Sequence, residues 1–293
     1  MTGNHAQPRT RLTTGRLISY LLLTVVCLLM VLPIVLTFLY SFFPMSEMTA
    51  FLKTRNNFDQ ARWMDILLSP AIVSLRQHYT LLIEKPVYLQ LFMNSVLYTI
   101  AILAGQALVI PMLAYALSRF RFFGRDALFF AILMLMLLPF QVTMAPSVLT
   151  MRTLGLMNTQ WAIILPMVFS PFYIFLVRQY MVGIPTDMFE AAMVDGAGTW
   201  RCFIHMVVPI SKPILGAAAA LSFADSWNMV EQPLIYLSNY QDKMPLSVMF
   251  NQLSTAEPGI AFAGAALYIL PALLIYTYFQ EDILLGIQLS DMK

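Results

Sequence analysis

The sequence predicts an all-α polytopic membrane protein with six transmembrane helices. Three observations predict it. Of 293 residues, 59% are hydrophobic and 11% charged, against about 45–50% and about 25% in soluble chains. Six apolar stretches reach the roughly 20 residues that a helix needs to cross a bilayer core. Basic residues gather in alternate connecting segments, the pattern that sets orientation in a membrane. The same balance excludes a water-soluble enzyme, and a net charge of +2 supplies no basic face for nucleic acid.

The elements follow in order. Residues 1–16 form a tail with Arg9, Arg11 and Arg16. The first span, 17–43, is too long for a signal-peptide core and lacks a small-residue cleavage site, so it reads as retained. A long loop, 44–88, carries Phe51, Phe58, Trp63, Tyr79 and Tyr88; it could seat a partner or only cap the helices. A five-helix core, 89–285, has spans at 89–117, 127–150, 161–181, 214–237 and 260–285, and a tail follows at 286–293. Arg119, Arg121 and Arg125 lie in the second loop, and Arg178, Arg201 and Lys212 flank the fourth. The third and fifth loops offer only Arg152 and Lys243. Both termini are therefore predicted cytoplasmic. Cys27 and Cys202 fall in lipid and cytoplasm and are expected to stay reduced. Pro33, Pro111, Pro139, Pro146, Pro166, Pro171, Pro233 and Pro271 interrupt the spans. Each removes a backbone donor and bends its helix, which suits either irregular packing or helices splayed around a cavity.

The fourth loop, 182–213, carries the most information. It reads as helix, turn, helix. Thr186 or Asp187 can cap the first helix, with Glu190 placed as in a capping box. Gly196 and Gly198 supply the turn. Thr199 can cap a second helix that ends before Pro209, and Phe203 with Met206 or Val207 gives it an apolar face. Left bare, so apolar a hairpin would be poorly solvated. Either a soluble partner covers it or it folds back on its own bundle.

Glu190-Ala191-Ala192, then Asp195-Gly196, Phe203, a Met206-Val207-Val208-Pro209 ending and Lys212-Pro213 resemble the EAA loop of binding-protein-dependent ABC importer permeases. That loop usually ends Ile-x-Leu-Pro, so Met206 and Val208 depart from it conservatively. Further pieces resemble the second permease of maltose-type, carbohydrate importers. They are Asn94-Ser95, Ala114-Tyr115-Ala116-Leu117-Ser118-Arg119-Phe120, Gly124-Arg125, Leu154-Gly155-Leu156, Asn158-Thr159, Ile184-Pro185, Trp227-Asn228 and Pro233-Leu234. The likeness spans about Asn94 to Lys293.

The resemblance implies a type I ABC importer permease fold with a cytoplasmic EAA coupling hairpin. It implies a second permease subunit in a heterodimer, two ATPase subunits that bind ATP and Mg, and an extracytoplasmic solute-binding protein. The hairpin would dock on an ATPase through Glu190, Ala191, Ala192, Asp195, Gly196 and Phe203; Glu190 and Asp195 could instead only cap and solvate it. The tail at 286–293 resembles relatives only loosely, with ATPase contact expected there. The chain carries no Gly-x-x-x-x-Gly-Lys-Ser/Thr phosphate loop, so ATP hydrolysis is expected on the partners and no cofactor in this chain. No catalytic or metal constellation is read; His5, His78 and His205 are scattered.

The fifth span holds Ser222, Asp225, Ser226, Asn228, Glu231 and Gln232. A charge at mid-bilayer is costly and faces protein or water. On a continuous helix Asp225 and Asn228 share a face that Glu231 continues. Asp225, Asn228, Glu231 and Gln232 are therefore candidates for the solute path, since carboxylates and amides bind sugar hydroxyls well. Alternatively Asp225 pairs with the partner permease and Glu231 is wet. Asp225 stands where relatives more often have a small residue. Gly216-Ala217-Ala218-Ala219-Ala220 allows close helix approach, between subunits or within one.

A self-contained secondary carrier or channel is the alternative; it wants inverted repeats and ionisable relays, and no convincing repeat is seen. A membrane-embedded enzyme would need clustered His, Asp or Ser groups. The leading expectation is a carbohydrate permease of a bacterial cell membrane.

Overall fold

A computed structural model describes residues 14–56, 69–238, 240–250 and 257–291. Phe58 and Trp63 of the long loop, His5, Arg9 and Arg11 lie outside them. The described residues are helical with no strand. Their contacts divide into two units, one of 1–78 with 257–266, the other of 79–256 with 267–293.

In the first unit, α1 (Thr14–Tyr40) is followed by α2 (Met45–Asn56). The 24 residues Leu17–Tyr40 are apolar enough to span a membrane, yet Leu17–Val35 is exposed among the described residues. A helical stretch that is apolar all round is normally buried against other apolar groups, in a protein core or in lipid. Tyr40, Phe43 and Met48 are buried together, and Phe262 lies edge-on to Tyr40 at 5.3 Å. The Gln77 amide donates to the Phe43 carbonyl.

In the second unit, α4 (Pro86–Arg119) is the central helix; the short α3 (Arg76–Tyr79) precedes it. It packs against α7 (Trp161–Val168), α8 (Pro171–Val182) and α12 (Lys212–Trp227). Two apolar cores form along it: Leu91, Tyr98 and Ile102 belong to one, Ile110, Ala114, Tyr115 and Leu117 to the other. Between them the buried Gln106 donates to the Met167 carbonyl at 2.7 Å and accepts from Ser222. Its amide is thereby satisfied where water cannot reach. Gly105 lets α7 approach: a Cβ there would stand 2.5 Å from a Val168 methyl. The small-residue run of α12 also packs inside the chain. Gly216, Ala217, Ala218 and Ala220 are buried, and a Cβ on Gly216 would meet the Asp282 carboxylate at 2.5 Å.

Four helices or helix runs can span a membrane unaided: Leu17–Tyr40, Pro86–Arg119, Trp161–Val182 and Pro258–Ile283. The last belongs to α14 (Pro258–Asp291). Two further pairs reach the length only together. The first is α5 (Arg125–Leu137) with α6 (Phe140–Thr153), bent by 112°. The sequence expectation was one span over 127–150. Pro139 is the reason for the break, since proline pushes the preceding residue out of the α region and Leu138 is extended at φ −76°, ψ 126°. The second pair is the helical run Thr199–Ile210 with α12, bent by 72°.

The expected span 214–237 is likewise interrupted. Helix α12 ends at Trp227, and a separate α13 (Glu231–Tyr236) begins after Asn228-Met229-Val230. Sixteen residues make about 24 Å of helix, less than a bilayer core.

Gly105→Leu should overpack the α4–α7 contact and cost about 1–3 kcal/mol. We expect a lower thermal midpoint of the purified protein, partly recovered by adding Val168→Ala.

Candidate functional site

The hairpin is built from α9 (Thr186–Val194), α10 (Thr199–Cys202), a π turn over Phe203–Val207 and α11 (Val208–Ile210). Its turn is a Schellman motif. Ala197 N–H bonds to the Ala192 carbonyl at 2.9 Å, and Gly196 N–H to Met193 at 3.0 Å. Gly196 takes φ +78°, the left-handed conformation in which a Cβ is strained.

Two expected caps are not made. Pro185 is the N-cap of α9 and Gly198 that of α10, neither with a side-chain bond. Thr186 and Thr199 lie one residue inside, at the first helical position. Nor does the second helix stop before Pro209. The π turn widens the backbone there, Val208 N–H reaches Phe203, and proline enters the next helical turn where its missing N–H costs little.

The hairpin is fixed to α4 by an aromatic and cationic clamp. The Phe203 ring stacks on Tyr115 at 5.2 Å, and Phe189 stacks on the same ring at 6.4 Å. The Arg119 guanidinium lies 4.1 Å over the Phe189 ring. It donates to the Met181 carbonyl at 2.7 Å and to the Ile184 carbonyl. Tyr180 donates to the Ile210 carbonyl at 3.0 Å. Phe203, 7% exposed, is thus an anchor inside the bundle rather than an outward contact. The role of Tyr115 and Arg119 was missed from sequence. Their stretch carries part of the family resemblance, but nothing in its spacing says that Arg119 meets carbonyls some sixty residues on.

Beyond the clamp the hairpin is bare. Nothing in α9 is buried, and Met188, Met193, Val194, Trp200 and Ile204 are exposed, Val194 at 86%. Glu190 and Ala191 are exposed and Ala192 half-buried. The Glu190 and Asp195 carboxylates make no hydrogen bond or ion pair with the described residues, so they do not cap the hairpin. Asp195 also sits at the C-terminal end of α9, where a negative charge opposes the helix dipole.

The polar residues after Ser222 form a second cluster. Tyr173, buried in α8, donates to Asp225 Oδ2 at 2.5 Å. Trp227, 2% exposed, is ringed by Phe92, Phe223 and Tyr268. It donates to the Tyr268 carbonyl at 3.2 Å, and the Tyr268 hydroxyl donates back to the Trp227 carbonyl. Asn228 donates to Ala224 O at 2.9 Å. Leu221, Ala224, Asp225 and Asn228 share one exposed face of α12. The helix break removes Glu231 and Gln232 from that face. Glu231 opens α13, exposed, with Gln232 half-buried beside it.

Residues 100–281, which include both clusters, match the family described as binding-protein-dependent transport system inner membrane component. The chain belongs to this family. It is a permease subunit of a membrane transport system. The arabinooligosaccharides transport system permease protein AraQ of Halalkalibacterium halodurans is 29% identical over 286 residues, 96% of this chain and 98% of that one. The lactose transport system permease protein LacG of Rhizobium radiobacter is 33% identical over 198 residues, 67% and 72% of the two chains. Among solved structures, a bacterial ABC transporter involved in import of the acidic polysaccharide alginate contains a chain of the same fold. Its TM-score is 0.77 at 24% identity, over 95% of this chain and 99% of that chain.

Within this permease, Arg119→Lys should not replace the clamp, because an ammonium is a point donor and lacks the planar fork. Hydrogen exchange of the Thr186–Ala197 amides should rise with Arg119→Lys and with Gly196→Ala, the latter by about 1–2 kcal/mol of left-handed strain. Exchange in α4 before Gly105 should stay unchanged.

Proposed function

We propose that this chain is one of two different permease subunits of an ATP-driven carbohydrate importer in a bacterial cell membrane. Both termini are cytoplasmic on this reading, and the hairpin docks on one of two ATPase subunits. ATP and Mg are bound by those partners, and a solute-binding protein delivers the sugar from outside.

One observation carries the coupling assignment: an apolar and acidic hairpin tip held rigidly at its base. Met193, Val194 and Trp200 are exposed beside Glu190 and Asp195, and a soluble protein with an apolar groove and a basic rim fits such a surface. The clamp at Arg119 and Tyr115 supports force transfer, since a push on the tip reaches α4 through carbonyl and ring contacts.

The carbohydrate assignment draws on the arabinooligosaccharide and lactose permeases the chain resembles. It is supported by the exposed face of α12. A carboxylate in a membrane helix does not face lipid, so Asp225 and Asn228 face the partner permease or a water-filled path, with Glu231 and Gln232 nearer its end.

Expressed with its genomic neighbours, the chain should co-purify with an ATPase. Val194→Glu with Met193→Glu should abolish that association while leaving membrane insertion intact. Retention of the ATPase by the double variant removes the coupling assignment. Asp225→Ala should lower uptake of the true sugar at least several-fold without loss of the ATPase; unchanged uptake removes it from the solute path.

A further inference from the structure

Resting on the permease reading, we propose that Tyr173 and Asp225 form an anion-rejecting contact point in the path, which admits neutral or amino sugars and turns away acidic ones.

The geometry is one-sided. Tyr173 is 3% exposed and comes from within the bundle; its hydroxyl holds Asp225 Oδ2 at 2.5 Å. Asp225 itself is exposed, and Oδ1 has no partner among the described residues. Neighbouring hydroxyls are already spent. Ser222 donates to Gln106, and Ser226 donates to the Ser222 carbonyl at 2.7 Å. No Arg, Lys or His of the described residues pairs with the carboxylate.

A carboxylate that accepts one hydrogen bond from a neutral donor has most of its acceptor capacity left. Sugar hydroxyls supply the missing donors, and the ammonium of an amino sugar supplies a counter-charge as well. A uronate or sugar phosphate brings a second negative charge beside the carboxylate, and like charges repel, with no cation of the described residues paired there to offset it. Asn228, one turn on, is held by Ala224 and adds no positive charge. The phenol sets the orientation, so the selection is by charge at one position and not by shape.

The test reads charge directly and needs no knowledge of the transported sugar. In the complete transporter, with Cys27→Ser and Cys202→Ala, Leu221→Cys places a thiol one turn from Asp225. Ala224→Cys serves as a second reporter. Each is treated with cationic methanethiosulfonate ethylammonium and with anionic methanethiosulfonate ethylsulfonate, and rates are normalised to free cysteine. The expected result is about a ten-fold preference for the cationic reagent, the size of effect that a charged cleft produces. Asp225→Asn or Asp225→Ser should bring the ratio near one. Should neither variant assemble, ionic strength decides, because a preference due to fixed charge shrinks as salt rises.

Equal rates with Asp225 present, a preference that survives its replacement or is indifferent to salt, or failure of both reagents at both positions overturns the proposal. The carbohydrate reading fails separately, if no sugar taken from the binding protein is transported. Charge preference at Leu221→Cys would then still stand.

Discussion

The second unit depends on how the last carbonyls of α8 are satisfied. A helix ends with carbonyls that have no partner in the next turn, and here Met181 and Ile184 are buried, so such groups must be met by the protein itself. The chain has to turn at Pro185, which cannot donate. Arg119 answers from α4 with a guanidinium that reaches Met181 and Ile184 together. Bonds from a charged donor contribute about 1.5–3 kcal/mol each. The same group covers Phe189, whose neighbour across Tyr115 is Phe203. One cation thus terminates α8, seats α9 and ties both to α4.

The other end of α4 is held as firmly. Asn94 donates to the Asp242 and Met244 carbonyls at 2.8 and 3.1 Å, Tyr98 to Lys243 at 2.8 Å, and Ser95 accepts from Leu246 N–H at 2.9 Å. Lys243 reaches the Asn158 carbonyl at 3.3 Å. A helix of 34 residues, about 51 Å long, therefore joins the hairpin to the segment that follows α13. Midway along it Gln106 bonds to Ser222, one turn from Asp225. The arrangement is that of a strut, with the polar face of α12 attached near its middle. Bonded side chains therefore link the hairpin to both other places along this one helix.

The apolar spans, the helix-turn-helix loop and Gly196 as its turn were legible because each depends on local sequence. Length and composition mark a span, and only glycine takes φ +78° without strain. The breaks were half legible. Pro139 announced the bend that splits α5 from α6, whereas Asn228-Met229-Val230 contains neither proline nor glycine. There the helix ends because Trp227 and Tyr268 exchange bonds across two helices, and such pairings are set by tertiary contact. The caps failed for a related reason. Thr186 looked like a cap, but Pro185 takes that place because it suits extended backbone at φ −58°, ψ 139°. The apolar face of Phe203 is evident in the sequence, but the Tyr115 ring it stacks on is not. Arg119 served only as an orientation marker, since a sequence shows a charge but not the carbonyls it will meet.

Several charges are used by the chain itself and four acids are not. Arg119 is bound to carbonyls and a ring, Arg178 lies 4.1 Å over Phe129, Lys243 lies 4.1 Å over Tyr240, and Arg125 pairs with Asp126 at 2.8 Å. Glu190, Asp195 and Glu231 have no such partner among the described residues, and Asp225 has one neutral phenol. A fold that needed these acids for its own stability would have brought a cation to them, and Asp195 at the end of α9 works against its helix. Other charges of both signs are exposed as well, Arg121, Arg152, Arg201 and Lys212 among them, so it is the position of these four acids and not their sign that sets them apart. At the hairpin these carboxylates lie beside exposed Met193, Val194 and Trp200, so the surface is both acidic and apolar. At Asp225 one carboxylate oxygen is held by the Tyr173 phenol and the other is left exposed on the outward face of α12.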